Sequence, residues 1–444
     1  MRKKTHLGRR QFLKNSVFGL VSAGMATQGG WALAEEGTRA CGRETKDKTH
    51  PKIKDYRTLG RTGFKVSDLA VGSVQDEGLI DAMLDAGVNY IDTAESYPGH
   101  HRIVGKAIRG HDRKSVFITT KMEVKGDTTK EGFLKRARKA LEELNTEYID
   151  CMMMHMPEKV ETLKTEGFHA AMKQLKAEGR IRYVGISNHG SFWFKDPKET
   201  MEKVLLAAAD DRRFDVFLMA YNFLQMDQGK RVLEVCKEKK IGTALMKTTP
   251  VFKYYILKSR LEQLEKEEKD IHPLYKDGLK RFKDKADRAE QFIKKYDLRN
   301  PEEIREAAIR FVLDNPNVNT ICCSLKTYDE MERILHLSGS KLSEWDKENL
   351  AAYREGCSEL YCRHACGVCE PRCPHGVPVN TIMRYYHYFM AQGREREAMF
   401  KYAEIPGARA DICRTCPGYC ETACPYNVPI QGMLLLAHDQ LSFA

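Results

Sequence analysis

Two groups of side chains in this chain have the types and spacing that chemistry needs. The first is cysteine. The stretch "CRHACGVCEPRCPHGVPV" carries Cys362, Cys366, Cys369 and Cys373, the last followed by Pro374. Later, "CRTCPGYCETACPYNVPI" carries Cys413, Cys416, Cys420 and Cys424, followed by Pro425. The tails "CPHGVPV" and "CPYNVPI" repeat one pattern, so this region is an internal duplication. Proteins that hold two [4Fe-4S] clusters use C-x2-C-x2-C-x3-C-P, in which the last cysteine ligates the other cluster. Here the gaps are 3, 2, 3 and 2, 3, 3, one residue longer in each half. Two zinc sites with four thiolates each are an alternative, and a disulfide framework is another. Four close cysteines ending in Cys-Pro, twice over, favour two [4Fe-4S] clusters. With crossover, Cys362, Cys366 and Cys369 share a cluster with Cys424, and Cys413, Cys416 and Cys420 share one with Cys373.

The second group is titratable: Asp92, Tyr97, Lys121 and His155. Each lies at or just past the end of a short apolar run, and such runs must be strands if the four are to meet. "LAVGS" (69–73), "NYIDTA" (89–94), "SVFITTK" (115–121), "YIDCMMMH" (148–155), "RYVGISN" (182–188), "DVFLMAYN" (215–222), "GTALMK" (242–247) and "VNTICCS" (318–324) read as buried parallel strands. Amphipathic helical stretches alternate with them, among them "DEGLIDAMLDAG", "KEGFLKRARKALEELN", "FHAAMKQLKAEG" and "MEKVLLAAAD". Eight such alternations predict an α/β fold, a (β/α)8 TIM barrel, whose chemistry sits at the C-terminal strand ends. An open doubly wound sheet is the rival, but it usually carries G-x-G-x-x-G after its first strand, and none occurs here. The methionines of "CMMMHMP" read as core packing, as do Cys151, Cys236, Cys322 and Cys323. The charged stretch 253–300 reads as solvated, ion-paired helices, with capping of the barrel mouth or contact with a partner as equal alternatives.

"YRTLGRTGFKVSDLAVGS" (56–73), "GVNYIDTAESY" (87–97), "GKAI", Lys121, "YIDCMMMH", "YVGISN" and "YNFL" together resemble the aldo-keto reductase family over residues 54–345. The resemblance implies the same barrel and NAD(P)H-dependent reduction of a small carbonyl, or oxidation of an alcohol. It implies a catalytic tetrad of Asp92, Tyr97, Lys121 and His155. By residue type, Tyr97 is the general acid, Lys121 the charge that lowers its pKa, and Asp92 the partner of Lys121. His155 orients the carbonyl oxygen. The resemblance also implies NADP(H) contacts: Ser187 and Asn188 at the nicotinamide, Lys247 and Thr248 at the pyrophosphate, Ser324 and Lys326 at the adenosine phosphate. Leu218 stands where the family usually has Gln, and Cys323-Ser324 where it usually has Pro-Gly.

The first 34 residues hold Arg2, Lys3, Lys4, Arg9, Arg10 and Lys14 and no acid; setting those six aside, the formal charge falls from +11 to +5. No basic block with interleaved aromatics remains, which argues against nucleic acid as a partner. "GRRQFLK", a weakly apolar stretch and Ala32-Leu33-Ala34 resemble a twin-arginine export signal with its cleavage site. The expected domains are a signal peptide (1–34), a linker (35–53) with a lone Cys41, the barrel (54–345) and a mainly helical ferredoxin-like iron-sulfur domain (346–444). No run is apolar enough for a membrane span. A periplasmic oxidoreductase with two clusters, with or without a redox partner protein, is the reading that unites these parts. A twin-arginine route carries folded, cofactor-loaded proteins, so the thiols meet iron before export. An electron-transfer protein that uses the barrel for docking, and a binding protein with a relic pocket, stay as alternatives.

Overall fold

The computed structural model describes residues 51–189, 199–250, 272–296 and 301–443, with positions 259, 262, 263 and 266 between. The expected signal and nearly all of the linker lie outside the described residues, as does most of 253–271. The described chain belongs to one compact unit, His50–Ala444.

An antiparallel hairpin of β1 (Tyr56–Thr58) and β2 (Lys65–Ser67) precedes eight parallel strands. These are β3 (Leu69–Val71), β4 (Tyr90–Asp92), β5 (Phe117–Glu123), β6 (Ile149–His155), β7 (Ile181–Asn188), β8 (Val216–Ala220), β9 (Gly242–Met246) and β10 (Thr320–Cys323). They pair in chain order, and β10 also pairs with β3, so the sheet closes into a barrel. Around and after it come α1 (Glu77–Asp85), α2 (His100–Ala107), α3 (Lys130–Leu144), α4 (Glu166–Ala177), α5 (Met201–Asp211) and α6 (Met226–Glu238). Then follow α7 (Pro273–Lys295), α8 (Pro301–Leu313), α9 (Tyr328–Leu335), α10 (Glu344–Cys357), α11 (Val379–Gln392), α12 (Glu395–Ala403), the short α13 (Tyr419–Thr422) and α14 (Ile430–Leu441). Local chemistry starts several helices: Asp76, Thr129 and Thr200 each accept from an early backbone N–H of α1, α3 and α5. Ser343 and Asp346 form a capping box at α10, and Asp346 also accepts from Arg310 of α8 at 2.8 and 3.0 Å.

The methionine run shows why both faces of a barrel strand are apolar. Met153 points inward with Tyr90, Phe117, Leu218 and Ala244, while Met152 and Met154 pack outward against the helices. The hairpin, which the sequence did not announce, brings Leu59 and Val66 into the inner cluster and so closes the barrel floor. Its turn needs Gly60, which has φ +47° and whose absent Cβ would lie 2.2 Å from the Gly242 nitrogen.

A second apolar core joins α7, α8 and α10 to α11 and α14. Here the reading of 279–296 as a solvated helix is corrected. α7 buries Leu279, Phe282, Ala286, Ala289 and Ile293, a stripe at helical spacing, and its charges mask it in the sequence. Gly278 and Gly432 let α7 and α14 approach closely, since a Cβ on Gly432 would meet the Gly278 carbonyl at 2.6 Å.

Candidate functional site

Asp92 ends β4, Lys121 lies in β5, and His155 ends β6, so the barrel brings three of the four expected groups to adjacent strand ends. The Lys121 ammonium donates to both Asp92 carboxylate oxygens at 2.7 Å and to the Thr93 carbonyl at 2.6 Å. The Thr119 hydroxyl donates to the same carboxylate at 3.0 Å. Both Asp92 and Lys121 are buried. Tyr97 follows β4 in a turn and brings the fourth group. Its ring meets the His155 ring edge-on at 6.3 Å, and the Lys121 ammonium lies 5.0 Å from its centroid.

The electrostatics differ from expectation at Tyr97. Burial raises its pKa well above the ordinary value, and Asp92 and Tyr388 push the same way, against Arg394. The phenol therefore stays protonated at neutral pH, the state a proton donor needs. Burial, then Lys121, Lys401 and Arg384, hold His155 well below its usual pKa. Its ring is neutral, both ring nitrogens lack a hydrogen-bond partner, and Glu123 stands 4.0 Å from Nδ1. A buried imidazole so placed has a vacancy for a polar ligand atom.

The six side chains assigned to a dinucleotide divide. At the nicotinamide end, the buried Ser187 hydroxyl has no partner, and Asn188 donates to the Pro157 carbonyl at 3.1 Å. At the phosphate end the chain itself engages them. The Lys247 ammonium lies 4.3 Å from the centroid of Tyr388, on α11. Lys326 donates to the Gly393 carbonyl, just past α11, at 2.8 Å. The Ser324 hydroxyl accepts from the Ser73 nitrogen at 3.3 Å, and Thr248 is buried. A nicotinamide amide fits the first set; of the second, Lys247 is engaged by Tyr388, while Ser324 and Lys326 are exposed.

Tyr388, which the sequence gave no reason to select, is the phenol there whose pKa falls. Burial alone would raise its pKa, but Lys247, Arg384, Arg394 and Lys401 together bring it down to about 8. Ultraviolet titration of the folded protein should show one tyrosine ionising near that pH, below the ordinary value of about 10. Tyr388→Phe should abolish that step; its survival in the variant would disprove the assignment.

The eight cysteines of the duplicated motif are free thiols. Their neighbours cross between the halves. Ionisation of Cys362 is opposed by burial, then by Cys366 and Cys424; that of Cys413 by burial, then by Cys420, Cys416 and Cys373. A small pocket, partly open to solvent, is lined by Cys373, Cys413, Cys416 and Cys420. Among the described residues, no group of three or more His, Cys, Asp or Glu side chains is drawn together to hold a metal ion. The two halves are braced alike. Glu370 accepts from the Asn380 nitrogen, and Glu421 from the Gln431 nitrogen, both at 2.8 Å. The Asn380 amide donates to the Arg363 carbonyl, and the Gln431 amide to those of Cys413 and Cys416. The signal for these four was present in the repeat, as "CE" after each third cysteine gap and "VN" or "IQ" after each Val-Pro.

The sequence pattern of the aldo/keto reductase family matches residues 59–355, so α11 to α14 lie outside it. Over 324 residues the chain is 24% identical to the aldo-keto reductase YhdN of Bacillus subtilis, covering 67% of this chain and 92% of that protein. It is 30% identical over 146 residues to the methylglyoxal reductase DkgB of Salmonella typhi, covering 32% of this chain and 49% of that protein. A solved aldo-keto reductase from Bacillus halodurans, 19% identical, gives a TM-score of 0.48 over 67% of this chain and 96% of that one.

Proposed function

The chain belongs to the aldo/keto reductase family, and on that premise we propose that this oxidoreductase interconverts a small carbonyl compound and its alcohol at the mouth formed by Asp92, Tyr97, Lys121 and His155. The observation that carries the reading is the Lys121 ammonium clamped between Asp92 and Thr93 beside a protonated Tyr97 and a neutral His155. His155 hydrogen-bonds the carbonyl oxygen and fixes its direction. Tyr97 delivers one proton as charge develops on that oxygen, and the carbonyl carbon takes the two electrons and the second proton, together a hydride equivalent, from an external electron donor. Lys121 supplies positive charge nearby, and Asp92 holds it in place. Substitution at Tyr97 is the test, argued in full below.

The C-terminal helices would hold two [4Fe-4S] clusters on Cys362, Cys366, Cys369 and Cys424, and on Cys413, Cys416, Cys420 and Cys373. Such clusters supply one-electron transfer when bound. Support comes from the duplicated spacing and from the thiol neighbours that cross between the halves. Burial makes such thiols resist ionisation despite Arg363 beside Cys362, and iron would offset that cost.

The protein would reach the periplasm by the twin-arginine route, which "GRRQFLK" and Ala32-Leu33-Ala34 support. No described helix is long and apolar enough to cross a membrane. Replacing both Arg9 and Arg10 with Lys should leave an unprocessed precursor inside the cell, seen by fractionation and by precursor mass. Normal export and processing of that double variant would refute the route.

A further inference from the structure

Members of the aldo/keto reductase family typically use NADP(H), yet this chain's own C-terminal segment lies where the phosphate half of that cofactor would be held. Four contacts make the case, and each joins a barrel loop to the segment Tyr361–Gly393. After β8, the Asn222 amide donates to the Tyr361 hydroxyl at 3.1 Å and to the Lys247 carbonyl at 2.9 Å. Three residues on, the Gln225 amide donates to the His364 carbonyl at 2.5 Å and its oxygen accepts from the His364 nitrogen at 3.0 Å. After β9, Lys247 meets the face of Tyr388 at 4.3 Å. After β10, Lys326 donates to the Gly393 carbonyl at 2.8 Å. The contact is close: a Cβ on Gly393 would lie 2.6 Å from the Lys326 ammonium.

The Lys326 contact is at the surface, but the others are not incidental touches. Asn222, Gln225, Tyr361 and His364 are all buried, and the hydrogen bonds between them satisfy polar groups that would otherwise be costly to bury. Phe223 and Leu224, between Asn222 and Gln225, belong to the same apolar core as Tyr361, Ile382 and Tyr388. A dinucleotide could enter only by breaking that core along with the four polar contacts. The two lysines that would meet its phosphates already have partners, an aromatic face and a backbone carbonyl.

We propose that the segment Tyr361–Gly393 takes the place of the dinucleotide on the barrel, so that this chain binds neither NADP(H) nor NAD(H) and keeps its tetrad mouth for a small molecule alone. Among the described residues, polar groups left without partners near the tetrad include both ring nitrogens of His155, the Ser187 hydroxyl and one ring nitrogen of His189; one ring nitrogen of His364, in the covering segment, is another. They offer a small carbonyl compound hydrogen bonds. The inference rests on the tetrad reading only for what the mouth does; the exclusion of the dinucleotide stands on the four contacts.

The test uses the full chain, purified without oxygen so that any cluster is retained. Enzymes commonly bind such substrates with constants between about 1 μM and 1 mM. Titration calorimetry with NADPH and with NADH to about 1 mM should show no saturable heat. In the same preparation, amide hydrogen exchange over Val379–Arg394 should be slow, because docking and not helix propensity protects it, and NADPH should leave it unchanged. Saturable binding of either dinucleotide overturns the proposal. So does fast exchange over 379–394, since a segment that opens readily is not a fixed occupant. Neither result bears on Tyr97, whose substitution tests the tetrad by itself.

Discussion

Tyr97→Phe should lower carbonyl reduction by the roughly 10²- to 10⁴-fold that a positioned general acid supplies, while fold and metal content stay as in the wild type. The substitution removes one hydroxyl and keeps the ring that packs edge-on against His155 and His100. The electron donor is chosen by the wild type: reduced viologen or NADPH, whichever supports reduction of a test aldehyde. The loss should fall mainly on kcat, because the proton moves in the transition state and not on binding. Lys121→Met is the less clean variant. Lys121 is 1% and Asp92 5% exposed, and removal of one partner of a buried pair destabilises by about 3–5 kcal/mol. Its lost activity would therefore mix chemistry with folding. Wild-type turnover in Tyr97→Phe would refute the assigned role of this phenol.

The same contrast shows what the sequence could and could not reveal. The eight barrel strands were legible because parallel strands are buried on both faces and read as mostly apolar runs such as Cys151–Met154. The tetrad was legible because strand ends in such a barrel are where side chains meet. The barrel-floor hairpin was not, since β1 and β2 have three residues each and too little pattern to detect. α7 was misread because its charged positions outnumber the apolar stripe that docks it against α14.

The environment of the tetrad was hidden for a different reason. What shifts Tyr97 and His155 comes partly from Arg384, Tyr388, Arg394 and Lys401, more than two hundred residues away in the chain. No local spacing carries such a contact. The expected lowering of the Tyr97 pKa by Lys121 left out desolvation of the phenol and the charges of Asp92 and Tyr388, all of which raise it. The pairing of Lys121 with Asp92 is as expected. The cover over the phosphate end was equally unreadable, because Asn222, Gln225 and Lys326 look like ordinary barrel-loop residues until their partners at 361–393 are known. Two departures from the family pattern, Leu218 and Cys323-Ser324, were the only hint that the dinucleotide side had changed.

Metal content should distinguish the crossed arrangement of the cysteines from two self-contained quartets. The full chain, purified without oxygen, should carry about eight irons and eight sulfides. Cys373 and Cys416 lie in different halves of the duplication but line the same cavity. If they share a cluster, Cys373→Ser with Cys416→Ser removes one cluster and leaves about four irons. Cys369 and Cys373 lie in one half, but Cys369 has Cys362, Cys420 and Cys366 among its neighbours and not Cys373. In the crossed arrangement, Cys369→Ser with Cys373→Ser strikes both clusters and leaves almost no iron. Self-contained quartets reverse the two outcomes: the first pair empties both sites and the second only one. Each double variant removes two thiols, so a general loss of folding affects them alike and does not mimic the difference. Circular dichroism, measured on both, checks that the helices persist. Reversed iron counts would reject the crossover while keeping the clusters. Stoichiometric zinc without sulfide in the wild type would reject the clusters themselves.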